Sequence, residues 1–488
     1  MTEANPLETD RTPGLKRVVI ETLTRVEGHG KVTLLLDAEG HVRQARLHIV
    51  EFRGFEKFVQ GRPYWEVPVM VQRLCGICPV SHHLAASKAL DQVVGATQLA
   101  PTAEKVRRLM HYGQILQSHA LHFFHLSSPD LLFGFDSDVA RRNIVGVAAA
   151  YPDLARRGVL LRKYGQEIIR VTAGKRIHGT GSVPGGVNRS VPAAERKALR
   201  AESGRMIDWS RESVHLVQRL FEQNLEQYRD FGSFPSHALH LVRGDGAMDL
   251  YHGGLRARLA DGTKLFDHLD YGTYWDEITE EVKPWSYMKF PFLRTLGPEQ
   301  GWYRVGPLAR VTGCDFIPSP LAEQERRAFL AFDEGSAARA TLGFHWARMI
   351  EMLHAAEVIE GLLDDEDVSG TELMAHGERQ PRGVGVIEAP RGTLIHHYRV
   401  DEHDQVVRAN LVVSTTHNNE AMNRSIRAVA RRYLDGRSLT EGLLNHIEVA
   451  VRAFDPCLSC ATHALGKMPL AVELQDADGT VVDSLRRD

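Results

Sequence analysis

The 488-residue chain has five cysteines, no basic excess, no long apolar run and no low-complexity linker. Each shortage removes a class of function. Lys and Arg total 59 against 62 Asp and Glu, a formal charge of −3, so nothing in the composition would neutralise a phosphate backbone and nucleic-acid binding is not expected. No stretch approaches the ~18 consecutive apolar residues of a membrane span. The opening MTEANPLETDRTPG is acidic and polar, without the basic and apolar regions of a secretory signal, so a cytoplasmic location is the expectation. An exported chain would have to travel with a signal-bearing partner. A glycine-rich stretch, GTGSVPGG at 179–186, fails GxGxxG and lacks a strand–turn–helix setting, so it is no nucleotide fingerprint. Five cysteines are too few, and an odd number, for a disulfide framework.

What the cysteines do instead is pair. RLCGICPVSHH (73–83) carries Cys75 and Cys78, and DPCLSCATH (455–463) carries Cys457 and Cys460, each pair followed by a histidine. Cys314, in VTGCDF, stands alone and reads as a small buried hydrophobe. Two CxxC arms point to a metal. A structural zinc site of four cysteines takes both arms from one compact module, with ~15–20 residues between them. Here Cys78 and Cys457 are 379 positions apart, which favours a buried functional metal over a zinc tie. Thioredoxin-like redox chemistry is weaker still, since neither pair sits in a βαβ pattern. Thiolates select zinc, copper(I), iron or nickel, and at this level the choice among them stays open.

Along the chain the texture is mainly α with β elements (α+β). LKRVVIETL, GKVTLLLDAEG and HVRQARLHIV alternate and are rich in β-branched residues, with DAEGH as a turn. PVSHHLAASKALDQVVG and PTAEKVRRLMHYGQILQSHALHFFHL read as helices, the second opened by Pro101. The helical stretch 191–232 is predicted to break near Gly204. Leu342, Trp346, Ile350 and Leu353 recur at +4, +4, +3 and predict one apolar helix face. Strands return in GVGVIEAP, GTLIHHYRV and VVRANLVVSTT. Helices are expected at 418–435 and 440–453, and a hairpin around ADG in the tail. Length sets a prior of about three domains. The absence of a linker instead predicts a single interleaved unit over 1–488: an N-terminal β region (15–60), a helical core (65–235), an irregular peripheral region (240–335), helices and strands completing the site (336–463), and an extension (464–488).

RLCGIC with DPCLSCATH resembles the large, catalytic subunit of [NiFe] hydrogenases. The resemblance extends in order through TRVEGHG (24–30), FRGFE (52–56), PGGV (184–187) and EAPRG (388–392), essentially the whole chain. EFRGFEKFVQGRP, CPVSHH, WSYMKFP and DPCLSCATHALG are closest to the soluble NAD-reducing bidirectional subgroup. The fold implied is a central bundle of long helices with β structure at both ends. The function implied is a cytoplasmic hydrogenase that reversibly splits H2 and passes electrons to NAD. NADP-linked, deazaflavin-reducing and H2-sensing relatives are the alternatives within the class. Outside it stand the quinone-binding, nickel-free subunit of respiratory NADH dehydrogenase, which lacks the four cysteines, and a zinc-tied structural protein.

The resemblance also implies roles. Cys75 and Cys457 would be terminal nickel ligands, and Cys78 and Cys460 would bridge to an iron carrying carbon monoxide and cyanide. Cys457 would take the first proton and Glu27 would relay it; a buried carboxyl suits that work because burial raises its pKa towards working pH. Arg391 and Thr415 would donate to cyanide, although Ser414 and His417 depart here from the respiratory pattern. Asp455 would join Arg391 over the open metal position, while Ser118 replaces a second aspartate of respiratory members. His82, on the helix face of Cys78, would donate to that sulfur; His83 reads as structural. Glu56, His463 and the Leu411 carbonyl would hold Mg2+.

Once the four cysteines are used, Cys314 alone is left, too few for an iron–sulfur cluster. The resemblance therefore implies flavin- and NAD-binding diaphorase partners besides a small iron–sulfur subunit. It also implies metal-insertion chaperones and an endopeptidase that removes the 25 residues after His463.

Overall fold

The computed structural model describes residues 16–20, 23–283, 285–434, 440–462, 470–475 and 481–487. At the N-terminal end Lys16–Ile20, Gly30–Leu36 and Val42–Ile49 form an antiparallel sheet in that order. The predicted turn is built by Asp37, whose Oδ1 accepts the N–H groups of Glu39 and His41 at 3.1 and 2.8 Å. Long helices follow at Pro79–Val93, Pro101–Leu121, Pro152–Ala173, Ala193–Gln223 and Gly343–Asp364. Three of them open on proline, which loses no hydrogen bond in a first helical turn.

A second antiparallel sheet runs Arg382–Ala389, Gly392–Val400, Val406–Val412. Helix Pro79–Val93 lies so close against it that a Cβ on Gly385 would meet the Ala85 carbonyl oxygen at 2.3 Å. That contact brings the helix following Cys78 onto the strand that leads to Arg391. Helices Asn419–Tyr433 and Glu441–Ala453 then return the chain to the N-terminal sheet, where the Leu47 N–H reaches Asn423 Oδ1 at 2.8 Å. Strands Leu470–Gln475 and Val481–Arg487 pair as the tail hairpin, whose ADG turn lies outside the described residues.

Three expectations need correction. Helix Ala193–Gln223 is continuous through Gly204, because a Cβ there would meet nothing within 4 Å and the residue relieves no crowding. The 240–335 stretch, expected to be irregular, carries a sheet ordered Tyr303–Arg304, His237–Val242, Gly254–Arg258, Lys264–Leu269 and two helices, Pro307–Gly313 and Pro320–Ala331. Its Gly, Pro and aromatic content belongs to short strands around a second apolar cluster containing Leu239, Leu241, Leu255 and Tyr303. Helix Gly343–Asp364 does not have one apolar face: Gly343 through Ala356 are all buried. It is packed from every side, and inside the core its Glu351 pairs with Arg310 and its His354 with Ser319.

Among the described residues no helix is long and apolar enough to cross a membrane.

Candidate metal centre

The four paired cysteines converge. Their sulfurs lie within 4.8 Å of one another, and all four residues are buried. Cys75 Sγ is 3.2 Å from Cys457 Sγ, and Cys78 Sγ is 3.9 Å from Cys460 Sγ. Cys457 and Cys460 are also in direct sulfur contact, with Cα atoms 5.7 Å apart. The N–H groups of Ile77 and Cys78 donate to Cys75 Sγ at 3.2 and 3.1 Å. Burial disfavours both thiolates of the first arm, but the Cys78 hydrogen bond and the Arg391 charge hold the Cys75 thiol below its usual range. Its hydrogen bond with Cys75, together with burial, pushes the Cys78 thiol well up.

Glu27 reaches this cluster because its segment runs alongside the C-terminal arm. Glu27 and Cys457 form a parallel bridge, and the Leu458 N–H donates to the Glu27 carbonyl at 2.9 Å. The Glu27 carboxyl then meets Cys457 Sγ at 2.9 Å through Oε2, and its Oε1 accepts from the Ser459 hydroxyl. Gly28 makes the approach possible: its φ is +85°, and a Cβ would sit 2.7 Å from the Ser459 nitrogen. Arg25 and Arg452 fix the segment from outside. Arg25 bonds Asp130 at 2.6 Å, and Arg452 bonds Asp130 and the Thr24 carbonyl at 2.9 Å each.

Arg391 sits in the two-residue turn of the EAPRG hairpin. Its Nε donates to the Asp455 carbonyl at 2.6 Å and its Nη2 to Asp455 Oδ1 at 3.1 Å. These bonds hold Asp455 at φ +53°, a left-handed conformation that costs energy in a non-glycine residue. Burial raises the Asp455 carboxyl pKa against the pull of Arg391 and Arg348. Behind it His122 and His345 stack at 5.6 Å, and His122 Nε2 lies 3.9 Å from Asp455 Oδ1. Ser118 is buried, and among the described residues its hydroxyl has no partner.

A small cavity beside the sulfurs is walled by Cys78, Ser81, His82, Arg391, Thr415 and Cys457, among others. Arg391 Nη1 and Ser81 Oγ on its wall are buried and have no partner among the described residues. Thr415 Oγ1 accepts the Cys457 N–H at 2.9 Å. The unmet donors and the four soft sulfurs fit a thiolate-bound metal pair whose further ligands accept hydrogen bonds. His82 lines the same cavity, but its hydrogen bond runs to His396 Nε2 at 3.2 Å and not to the Cys78 sulfur, because the facing strand brings His396 within reach. Burial lowers the His82 pKa to about 3, so it is neutral.

Glu56 lies apart from this cluster. Its Oε1 accepts the Leu411 N–H at 2.8 Å and stands 3.5 Å from Lys289 Nζ, which also binds Glu280 at 3.2 Å. Leu411 thus meets Glu56 through its amide, where a ligand role calls on its carbonyl. Burial raises the Glu56 pKa to about 7. Glu280 Oε1 is buried without a hydrogen-bond partner among the described residues, so the pair offers oxygens suited to a hard cation. His463 lies outside the described residues.

His83 is held between the Pro68 carbonyl at 2.8 Å and the Ser182 N–H at 3.0 Å, a packing role. Cys314 is buried, and burial pushes its thiol up to about 11. Sequence reasoning missed Ser81, Ser459, His122, His345 and Arg348. Ser81 and Ser459 could have been found, since they lie beside or between the paired cysteines; the other three carry no motif.

A family model described as nickel-dependent hydrogenase matches residues 53–134 and 245–463, and one described as HoxL-like matches 17–52. The NAD-reducing hydrogenase HoxS subunit beta of Cupriavidus necator is 48% identical over 487 residues, covering 97% of this chain and 100% of the relative. A chain of the F420-non-reducing hydrogenase of Methanothermobacter thermautotrophicus is 41% identical over 473 residues, covering 96% and 99%. The crystal structure of an NAD+-reducing [NiFe]-hydrogenase in the H2-reduced state superposes with a TM-score of 0.91 at 59% identity, covering 92% of this chain and 100% of that one. A [NiFeSe] hydrogenase from Desulfovibrio vulgaris Hildenborough shares the fold, with a TM-score of 0.75 at 24% identity over 93% and 100%.

Proposed function

The chain belongs to the nickel-dependent hydrogenase family, and we propose that it is the catalytic subunit of a hydrogenase that reversibly splits H2 and passes the electrons through partner chains to NAD. The observation that carries this is the meeting of Cys75, Cys78, Cys457 and Cys460 within 4.8 Å. The likeness to NAD-reducing relatives favours NAD as acceptor over the other acceptors considered.

Cys75 and Cys457 would hold nickel, and Cys78 and Cys460 would bridge it to iron; that all four sulfurs lie within 4.8 Å of one another supports a single shared site. The metal pair would supply the Lewis acidity and the open position at which H2 is polarised. The chain's own residues handle the proton. Cys457 Sγ is the first holder, Glu27 Oε2 takes the proton across 2.9 Å, and the Ser459 hydroxyl beside Glu27 Oε1 orients the carboxyl. Arg391 keeps a fixed positive charge over the site, with Nη1 free to donate, and the Thr415 hydroxyl hydrogen is free for the same use.

Carbon monoxide and cyanide on iron would be the acceptors for these donors. Glu56 and His463, with the Leu411 carbonyl, would hold Mg2+. The partners we assign are a small iron–sulfur subunit, flavin- and NAD-binding diaphorase chains, and chaperones that insert the metals in the cytoplasm. An endopeptidase would remove residues 464–488 after metal insertion, cutting between His463 and Ala464. The intact mass of active enzyme tests that cut: a retained tail overturns it.

Elemental analysis and infrared spectroscopy of the purified complex test the main reading. Nickel and iron in near-equal amounts, with carbon monoxide and cyanide stretches, are expected. Zinc alone, or no metal in active protein, would sink it.

A further inference from the structure

A row of arginines crosses the sheet of strands Arg382–Ala389, Gly392–Val400 and Val406–Val412. Arg382 is the register partner of Arg399, and Arg399 is the partner of Arg408. Like charges directly opposite on neighbouring strands repel. All three are exposed, and among the described residues none of their side chains makes an ion pair or a hydrogen bond. On the same face the next row is Val384, His397 and Asn410, and the third, Val386, Ile395 and Val412, belongs to the buried core.

A cleft of about 540 Å³ opens over these rows, walled on its other side by Tyr274, Trp275, Glu280 and Arg294. The wall is held in place. Arg382 lies over the Trp275 ring at 5.2 Å, His397 stacks on that ring at 5.2 Å, Arg294 Nη2 donates to the Trp275 carbonyl at 2.7 Å, and Asn410 donates to the Tyr274 hydroxyl at 2.8 Å. Glu280 is the cleft's carboxyl, and its charge is engaged with Lys289. Among the described residues no carboxylate pairs with the four guanidinium groups.

We propose that this cleft binds a compact polyanion, a small molecule with two or more phosphate or carboxylate groups, through Arg294, Arg382, Arg399 and Arg408. Strands stand ~4.8 Å apart, so the row spans about 10 Å, the reach of a diphosphate or a tricarboxylate and more than a single anion fills. The volume is that of a small-molecule site. Guanidinium forks match the oxygens of either group in pairs. The cleft shares no lining residue with the cavity at the sulfurs, so the proposal stands apart from the hydrogenase reading, although its Glu280 is also joined through Lys289 to Glu56.

Calorimetric titration of the purified hydrogenase complex at low ionic strength, with pyrophosphate and separately with citrate, tests this. Saturable binding of at least one is expected, weakened about tenfold or more in Arg399→Ser/Arg408→Ser, with dye-linked H2 oxidation unchanged. Which probe binds separates a phosphate source from a carboxylate source. Because the row is self-repelling, the double variant should melt no lower than wild type, and the ligand should raise the Tm of wild type alone. Arg382→Gln gives the same comparison should the double variant fold poorly. Binding by neither probe, or equal binding to wild type and variant, overturns the proposal. So does loss of partner chains from the variant on gel filtration, which would make the row a subunit contact.

Discussion

Around Arg310 every guanidinium nitrogen is met. Nε and Nη2 each reach Glu351 at 2.6 Å, Nη1 reaches Glu388 at 2.7 Å and the Ala389 carbonyl at 3.0 Å, and His119 bonds Glu351 at 2.9 Å. Around Arg391, also buried, Nη1, Asp455 Oδ2 and Ser81 Oγ have no partner among the described residues. A buried polar group left unmet costs about 1–3 kcal/mol. The difference teaches which cluster is scaffold and which is site: in the first every charged group is paired within the cluster, and the second keeps polar groups open for something the polypeptide does not supply. The two are joined, because Arg310 grips Ala389 at the start of the hairpin that presents Arg391.

The contrast is open to attack at four points. The largest effect is expected from Cys457→Ala, which should abolish H2 oxidation and nickel retention while circular dichroism stays native; retained nickel would mean the sulfurs are not one site. Next comes Arg310→Met, which strands two buried carboxyls and should cost about 3–5 kcal/mol in denaturant unfolding. Lost activity with unchanged stability in that variant would erase the distinction between scaffold and site. Glu27→Gln should slow H/D exchange about 10²-fold or more with metal content and stability intact; a normal exchange rate removes Glu27 from the proton path.

The smallest effect concerns pH. Burial pushes the Glu351 carboxyl up, but Arg310 and His119 outweigh it and hold its pKa at about 2. A carboxyl held that low contributes its full stability above the ordinary range near pH ~4.5 and loses it as pH falls towards 2. Between those values wild type should lose more stability than Glu351→Gln, whose side chain does not titrate. Parallel losses in the two proteins would mean the pair is not ionised as drawn.

Much of the site could be read from short segments. CGIC, CLSC, RVEGH and APRG carry their chemistry in the residues themselves, and the structure brings Cys75, Cys78, Cys457, Cys460, Glu27, Arg391 and Thr415 to one place. The partner of His82 was not legible, because His396 comes from a strand 314 positions away. Helix Gly343–Asp364 misled for a related reason. Its apolar spacing is real, but periodicity cannot tell a solvated polar face from one buried against Arg310, and Glu351 and His354 lie on the buried kind. The 240–335 region reads as irregular because strands of two to six residues between glycines and prolines have too short a period to register.

The sequence by itself determined the donors: four thiols in two arms, a carboxyl beside one of them and a guanidinium on a tight turn, since side-chain chemistry is a local property. Only the tertiary structure decided which sulfur faces which, that Gly28 lets Glu27 reach Cys457, and that three arginines line up across strands with no ion-pair partner among the described residues. Those facts depend on contacts between positions far apart in the chain, set by packing and register. No short window of residues encodes them.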